Sequence, residues 1–344
     1  MSDKIKLMVL DDSLLFREVM IQGFQNDDRI EIVGFASDPF DATEKIPLLE
    51  PDVLTCDIEM PRMDGIKFIR CLMSQYPLPV IVVSSLAVGV FESMDAGALD
   101  FINKPENLND DTTKFFEDLR GKIIAASQAK FAFRRRENIG IHIEPAGVRG
   151  AVNSKNIIAI GASTGGTDAI NSVLTKFSPN MPGIVVVQHM PAGFTKLYAQ
   201  RLDEISNLSV KEAEDGDEVM PGRALIAAGD FHMRVEKSAS GCVVRIEKAP
   251  KVNGHRPSVD VLFESVAETC GREAIGVILT GMGADGAEGL KKIRDFGGYT
   301  IGQDERSSVV YGMPMAAYLL GAVMVQLPLY RVPDEIIRKL NTGL

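Results

Sequence analysis

Five short strand-like runs alternate with five helix-like segments in about the first 125 residues, and this alternation restricts the fold more than any other feature of the chain. The runs are Ile5 to Leu10, Ile30 to Phe35, Val53 to Cys56, Val80 to Val83 and Asp100 to Asn103. The segments Leu14 to Gly23, Pro39 to Glu50, Ile66 to Gln75, Phe91 to Gly97 and Phe115 to Gln128 carry helical patterning. Strands that alternate with helices in this way predict a doubly wound parallel sheet. In such a sheet the functional loops gather at the carboxyl ends of the strands. Here those ends carry Asp11 and Asp12, then Asp57, Ser84 and Lys104. Three carboxylates brought together repel one another unless a cation sits among them, and a hard divalent ion such as Mg²⁺ suits an oxygen-only pocket. A lysine beside the cluster can pair with an added phosphoryl group, and a serine can hydrogen-bond to it. Taken singly, each residue also has an ordinary reading as a turn aspartate, a solvated lysine or a capping serine. Their order along one fold is what points to a site.

Residues 129–153 hold few apolar residues in any regular pattern and include Arg134-Arg135-Arg136, Pro145, Gly147 and Gly150. They read as a linker, set at 126–153, between a first domain over residues 1–125 and a second over 154–344. The triple arginine reads as solvated, or as a contact to the acidic first half, with a nucleic-acid contact as the alternative. The second domain again alternates. Strands are expected at Ile157 to Ile160, Gly183 to Val187, Ala274 to Leu279, Thr300 to Gln303 and Ala322 to Val325. Helices are expected over Thr167 to Thr175, Phe194 to Leu202, Pro257 to Cys270, the segment ending at Phe296, and Pro314 to Leu320. Ala224 to Ala228 and Met233 to Val235 read as strands paired around Gly229-Asp230, with Cys242 to Glu247 as a further strand. The fold class is therefore α/β, with two doubly wound parallel-sheet domains and a small antiparallel insert in the second.

Composition limits the function classes. The formal net charge is −10, most of it before residue 121, so the second half lacks the basic surface expected of a nucleic-acid-binding domain. Cys56, Cys71, Cys242 and Cys270 form no C-x-x-C pair and no Cys/His cluster, which fits reduced thiols in a cytosolic protein. The N-terminus shows no signal-peptide apolar core. The uncharged stretch Met313 to Tyr330 is interrupted by Pro314, Gly321, Gln326 and Pro328, too often to span a bilayer.

Gly161-Ala162-Ser163-Thr164-Gly165 follows the β-formers Ile157 to Ile160 and precedes a helix, which matches a nucleophile elbow, G-x-S-x-G. Free N–H groups at the helix start can hold a developing negative charge. A phosphate-cradling turn is the competing reading, though the stretch lacks the Lys-Ser/Thr ending of a P-loop. A serine nucleophile needs a base, and the base needs an orienting group. Of His142, His189, His232 and His255, only His189 ends a parallel strand and so shares the rim of Ser163. Asp285, in the glycine-rich turn after Ala274 to Leu279, is the acid expected on that rim. The order Ser163, His189, Asp285 differs from that of α/β-hydrolases, in which the acid precedes the histidine. His232 or His255 as base remains the alternative, and His189 and Asp285 also have plain readings as a satisfied loop histidine and a helix cap.

Two resemblances sharpen these readings. Leu10-Asp11-Asp12, the D-x-x-M-P-x-M-D-G run from Asp57 to Gly65, Val83-Ser84-Ser85 and Lys104-Pro105 make residues 1 to 125 similar to the receiver domain of a two-component response regulator. That resemblance implies a flavodoxin-like fold with Asp57 as phospho-acceptor. Asp12 would bind Mg²⁺ directly, Asp11 would help through water, and the Glu59 carbonyl would be a further ligand. Ser84 would be the hydroxyl switch, Lys104 the phosphate partner and Phe101 the aromatic switch residue. The second half carries IGASTGG, QHMPAGFT from Gln188 to Thr195, GHRPSVD from Gly254 to Asp260 and LTGMGADG from Leu279 to Gly286. These motifs resemble the Rossmann-like catalytic domain of the chemotaxis protein-glutamate methylesterases. This resemblance implies Ser163 as nucleophile, His189 as base and then acid, and Asp285 as orienter. It also implies an oxyanion pocket that uses the Met282 N–H, with Thr164 lining the site. The implied activity is hydrolysis of glutamyl methyl esters on methyl-accepting chemoreceptors, with deamidation of receptor glutamines. A histidine kinase would be the phosphodonor and Mg²⁺ would serve the receiver only, with no cofactor for ester hydrolysis. The implied protein is a cytoplasmic monomer with no nucleic-acid partner and no membrane insertion, whose receiver covers the esterase cleft until Asp57 is phosphorylated.

Overall fold

The computed structural model describes residues 4–60, 63–85, 89–105, 112–129, 147–148, 150, 152–239 and 241–343. His142, the triple arginine and most of the expected linker lie outside these residues. The chain divides into two compact units, Met1–Arg135 and Arg136–Leu344.

In the first unit the strands are β1 (Ile5–Leu10), β2 (Ile30–Ala36), β3 (Val53–Cys56), β4 (Val80–Ser84) and β5 (Asp100–Asn103). The helices are α1 (Leu14–Phe24), α2 (Pro39–Leu49), α3 (Gly65–Gln75), α4 (Val90–Ala96) and α5 (Thr113–Gln128). The order β2-β1-β3-β4-β5, parallel throughout, is the flavodoxin-like arrangement expected from the alternation. Side-chain caps set the helix starts: the Ser13 hydroxyl accepts from the Phe16 N–H, Asp38 from Phe40 and Asp41, and Asp64 from Ile66. One core joins the strand residues Leu7, Val9, Val53, Ile81 and Val83 to Phe16, Met20 and Phe24 of α1 and Leu119 and Ile123 of α5. Because both faces of the sheet are covered, the strands read as continuous apolar runs rather than alternating ones.

Among the described residues of the second unit, seven parallel strands form a sheet in the order β14-β13-β12-β6-β7-β9-β8. They are β6 (Ile157–Ala162), β7 (Gly183–Gln188), β8 (Ser209–Glu212), β9 (Arg223–Ile226), β12 (Ala274–Ile278), β13 (Tyr299–Gln303) and β14 (Val325–Leu327). The helices are α6 (Gly166–Leu174), α7 (Phe194–Ile205), α8 (Val259–Cys270), α9 (Ala287–Asp295), α10 (Met313–Leu319) and α11 (Val332–Thr342). A separate antiparallel ribbon, β10 (His232–Ser238) with β11 (Gly241–Glu247), packs on α8. Strand β6 is central, with β7 on one side and β12 on the other. The chain moves outward from β6 in both directions, so a switch point lies at its carboxyl end, where α/β sheets place their ligands.

Three local expectations are corrected. Ala224 to Ala228 does not pair with Met233 to Val235. Ala224, Leu225 and Ile226 are fully buried between β7 and β8, where a strand needs two parallel neighbours, and the antiparallel partner of β10 is β11. Gly229-Asp230 is accordingly no hairpin turn; Gly229 packs against the Pro191-Ala192 backbone, and Asp230 pairs with Arg256. The last strand is Val325–Leu327 rather than Ala322 to Val325. The Ala322 carbonyl instead accepts from the Thr300 hydroxyl and the Met324 N–H donates to the Thr300 carbonyl at 3.1 Å, so Ala322 and Val323 lie beside β13 ahead of its first pair with β14, Ile301 with Val325. Helix α11 was not among the expected elements, although Pro333, Asp334 and Glu335 in its first turn are ordinary start signals.

Candidate active site and phosphoryl-acceptor site

Ser163 follows β6 at the switch point. Its N–H donates to the Thr280 carbonyl beyond β12 at 3.0 Å, and its own carbonyl accepts from Gly166 N–H at 2.7 Å and Gln188 Nε2 at 2.9 Å. The turn is thus tied to both neighbouring strands. Gly165 at φ 74° lets it enter α6, in backbone space that side chains rarely occupy. Thr164 is buried.

His189 directly follows β7, and its N–H donates to the Ala162 carbonyl at 3.1 Å. Its ring Nε2 lies 2.8 Å from Asp285 Oδ2. Its Nδ1 is buried and has no hydrogen-bond partner, and no hydrogen bond joins the ring to the Ser163 hydroxyl in this conformation. Asp285 is buried in the turn before α9 and accepts from several more donors. Val259 N–H reaches Oδ2 at 2.6 Å, while the Ser258 hydroxyl at 2.7 Å and Asn253 Nδ2 at 2.9 Å reach Oδ1. The start of α8 therefore points its free N–H groups at the carboxylate. Burial alone would raise the Asp285 pKa, but the donors from His189, Asn253 and Ser258 outweigh it and hold the carboxyl well below the usual range. Asp285 is ionised, and it favours the tautomer with the proton on Nε2 and a lone pair on Nδ1.

The competing histidines are otherwise engaged. His232 Nε2 meets the Pro250 carbonyl at 2.9 Å, and Nδ1 accepts from the Ser258 N–H at 3.2 Å. His255 lies flat on His189, with ring centroids 3.8 Å apart. Met282, expected at the oxyanion pocket, is partly exposed. The backbone before it is fixed by Gly281 N–H to Val310 and by Gly312 and Met313 N–H to the Gly281 carbonyl. The roles of Asn253, Ser258 and Gln188 are not legible in the sequence. Ser258 carries an N-cap signal and Asn253-Gly254 a turn signal, but neither shows that its side chain reaches Asp285.

At the switch point of the first sheet, carboxylate oxygens of Asp11, Asp12 and Asp57 lie within 4.8 Å of one another. Lys104 Nζ is 2.7 Å from Asp11 Oδ2 and also bonds Asp57. Burial raises the Asp11 pKa more than Lys104 lowers it, whereas the two carboxylates outweigh burial at Lys104 and raise its pKa. Glu59 N–H donates to Asp57 Oδ1 at 3.1 Å. Ser84 and Phe101 are both buried, and Phe101 packs edge-on against Phe91. Gly65 has no room for a side chain: a Cβ there would come 2.3 Å from the Asp57 carbonyl oxygen. The oxygen-only donors suit a hard divalent cation such as Mg²⁺.

Together these features define a response-regulator receiver joined to an α/β domain with serine, histidine and aspartate at its switch point. A family profile described as response regulator receiver domain matches residues 7–114, and one described as CheB methylesterase matches residues 158–336. The chain is 48% identical over 339 residues to a protein-glutamate methylesterase/protein-glutamine glutaminase of Syntrophomonas wolfei, covering 98% of each protein. It is 43% identical over 340 residues to one of Pseudomonas aeruginosa, covering 97% of each. The solved CheB methylesterase catalytic domain of Thermotoga maritima matches 55% of this chain and 99% of that one, with 41% identity and a TM-score of 0.52. The chain belongs to the CheB methylesterase family. Among the described residues no helix is long and apolar enough to cross a membrane.

Proposed function

We propose that this chain is a phosphorylation-controlled protein-glutamate methylesterase that also deamidates glutamines, acting on methyl-accepting chemoreceptors. The observation that carries this reading is the His189 Nε2–Asp285 Oδ2 bond of 2.8 Å at the strand ends beside Ser163. Asp285 orients the imidazole with Nδ1 as acceptor. As Ser163 Oγ attacks the γ-glutamyl ester carbonyl, its proton passes to His189 Nδ1. Apo catalytic hydrogen bonds are often loose and tighten with substrate. The Met282 N–H stabilises the oxyanion, a role worth roughly a hundredfold in rate in a related mechanism. Thr164 lines the pocket. His189 returns the proton to the leaving methanol, or to ammonia when the substrate is glutamine. Water then repeats the sequence on the acyl-enzyme and leaves glutamate. The chain's own residues suffice for each step.

The receiver is the control element. Asp57 accepts a phosphoryl group from a histidine kinase, and Asp11, Asp12, Asp57 and the Glu59 carbonyl would hold Mg²⁺, which would neutralise the charge that builds up on the phosphoryl oxygens. Lys104 pairs with the phosphoryl group, Ser84 hydrogen-bonds to it, and Phe101 responds by repacking. We assign residues 1–125 to the receiver, 126–153 to the linker and 154–344 to the catalytic domain of a cytoplasmic monomer. Phosphorylation relieves occlusion of the esterase cleft by the receiver.

The experiment is methanol release from methylated receptor membranes by wild type and Ser163→Ala, with and without a small-molecule phosphodonor. Ser163→Ala is expected to be inactive under both conditions; retained release overturns the assignment. Residues 147–344 alone are expected to outpace the unphosphorylated full chain, and an equal or lower rate removes occlusion as the control.

A further inference from the structure

Val252 to His255 form a two-residue turn whose ends exchange both backbone hydrogen bonds, Val252 N–H to the His255 carbonyl at 3.1 Å and His255 N–H to the Val252 carbonyl at 2.9 Å. Its central pair is Asn253 at φ 53° and Gly254 at φ 81°. Positive φ at both central residues is the type I′ requirement, and Asn-Gly is the pair that meets it best. Two side chains leave this turn for the catalytic pair. Asn253 Nδ2 donates to Asp285 Oδ1 at 2.9 Å and to Asp260 Oδ2 at 2.7 Å. The His255 ring stacks on the His189 ring, with centroids 3.8 Å apart and only 11° between the planes.

The contacts close a circuit. His255 meets His189, His189 meets Asp285, Asp285 meets Asn253, and Asn253 is two residues from His255. Each contact restrains a different motion. The Nε2–Asp285 bond sets where one ring nitrogen points, but a single hydrogen bond leaves the imidazole free to tilt about that bond. A flat partner against the ring face removes the tilt and so fixes the direction of the Nδ1 lone pair. The Asn253 amide uses its two N–H groups on two buried carboxylates, Asp260 and Asp285, that would otherwise repel. An acid at position 253 would add a third negative charge at the same place.

We infer that the Val252–His255 turn is a positioning device for the esterase: His255 sets the plane of the His189 ring, and Asn253 sets the Asp285 carboxylate. Neither residue takes or gives a proton in the steps proposed above. The inference rests on the reading of Ser163, His189 and Asp285 given above. A small angular error at the base is enough to matter, since a misplacement of about 1 Å costs on the order of a hundredfold in rate.

The test measures kcat and KM for methanol release from methylated receptor membranes with the full chain, alongside melting temperatures. His255→Ala is expected to lower kcat by about tenfold to a hundredfold with KM unchanged. His255→Phe keeps a flat face without the ring nitrogens and is expected to recover most of that loss. Asn253→Asp tolerates the same backbone and is expected to lower kcat at least as far as His255→Ala. The inference is overturned if His255→Ala keeps kcat within about twofold of wild type, or if His255→Phe is no better than His255→Ala. Ser163→Ala separates the two levels: residual activity there sinks the nucleophile reading and this inference together. An inactive Ser163→Ala beside a fully active His255→Ala sinks the positioning role alone.

Discussion

Gly281 leaves no space between itself and Ser163: a Cβ on Gly281 would come within 2.7 Å of the Ser163 Cβ and 2.3 Å of the Met313 sulfur. The methionine end can move aside, but the serine turn is fixed by its backbone bond to Thr280. Gly281→Ala is therefore expected to push Ser163 away from His189 and lower kcat about tenfold or more, with the fold intact by circular dichroism. A variant as fast as wild type would mean that the serine turn has slack.

Ser258 acts on Asp285 from the start of α8. Its hydroxyl donates to Oδ1 at 2.7 Å and is fully buried, so Ser258→Ala removes a donor to a buried charge. The expected cost is about 1.5–3 kcal/mol of stability, with kcat reduced because the carboxylate that orients His189 loses an anchor. Denaturant unfolding and methanol release measure the two effects. Loss of stability without loss of rate would confine Ser258 to a structural role.

Lys104 competes with any cation for the receiver carboxylates. Its ammonium bridges Asp11 and Asp57, so Lys104→Met leaves their charge uncompensated. A divalent ion is expected to bind roughly tenfold more tightly to the variant, while phosphorylation of Asp57 falls because the phosphoryl group loses its partner. Calorimetric titration with Mg²⁺ checks the first effect and phosphate incorporation the second. Unchanged Mg²⁺ affinity would refute the competition.

Asp27 ties α5 to the sheet of the receiver. Burial raises its pKa, but Arg120 and the N–H groups of Arg29 and Ile30 outweigh burial and hold it below its ordinary value. A carboxyl whose pKa is lower folded than unfolded stabilises the fold above its unfolded value, near pH 4, and that contribution disappears as pH falls through the folded value. Arg120→Met is expected to cost about 1.5–3 kcal/mol at pH 7 and progressively less below about pH 4. Urea unfolding at pH 7 and pH 3 provides the comparison, and an equal deficit at both would remove Asp27 as the cause.

The features that the sequence made legible are those fixed by local pattern. Alternating strands and helices give two parallel sheets, and the residue that ends each strand is easy to find, which placed Ser163, His189, Asp57 and Lys104. Partners chosen by tertiary packing were not legible. Asn253-Gly254 announces a turn, but the reach of Asn253 to Asp285 depends on how α8 lies across the sheet. Leu225 is equally apolar in a hairpin or in a buried parallel strand, and only its burial between β7 and β8 decides. Ala322 and Val323 are buried without joining the ladder, so hydrophobicity there marks packing and not a strand.

The central position of β6 also affects synthesis. Ser163 and His189 follow adjacent strands and emerge early, whereas Asp285 follows β12, which pairs with β6 only after α8 and the β10–β11 ribbon have been made. A chain interrupted before β12 has a serine and a histidine but no carboxylate to orient the ring. In the proposed mechanism such a product lacks the group that orients the base, and the set is complete only once the turn after β12 has been made, before β13 and β14.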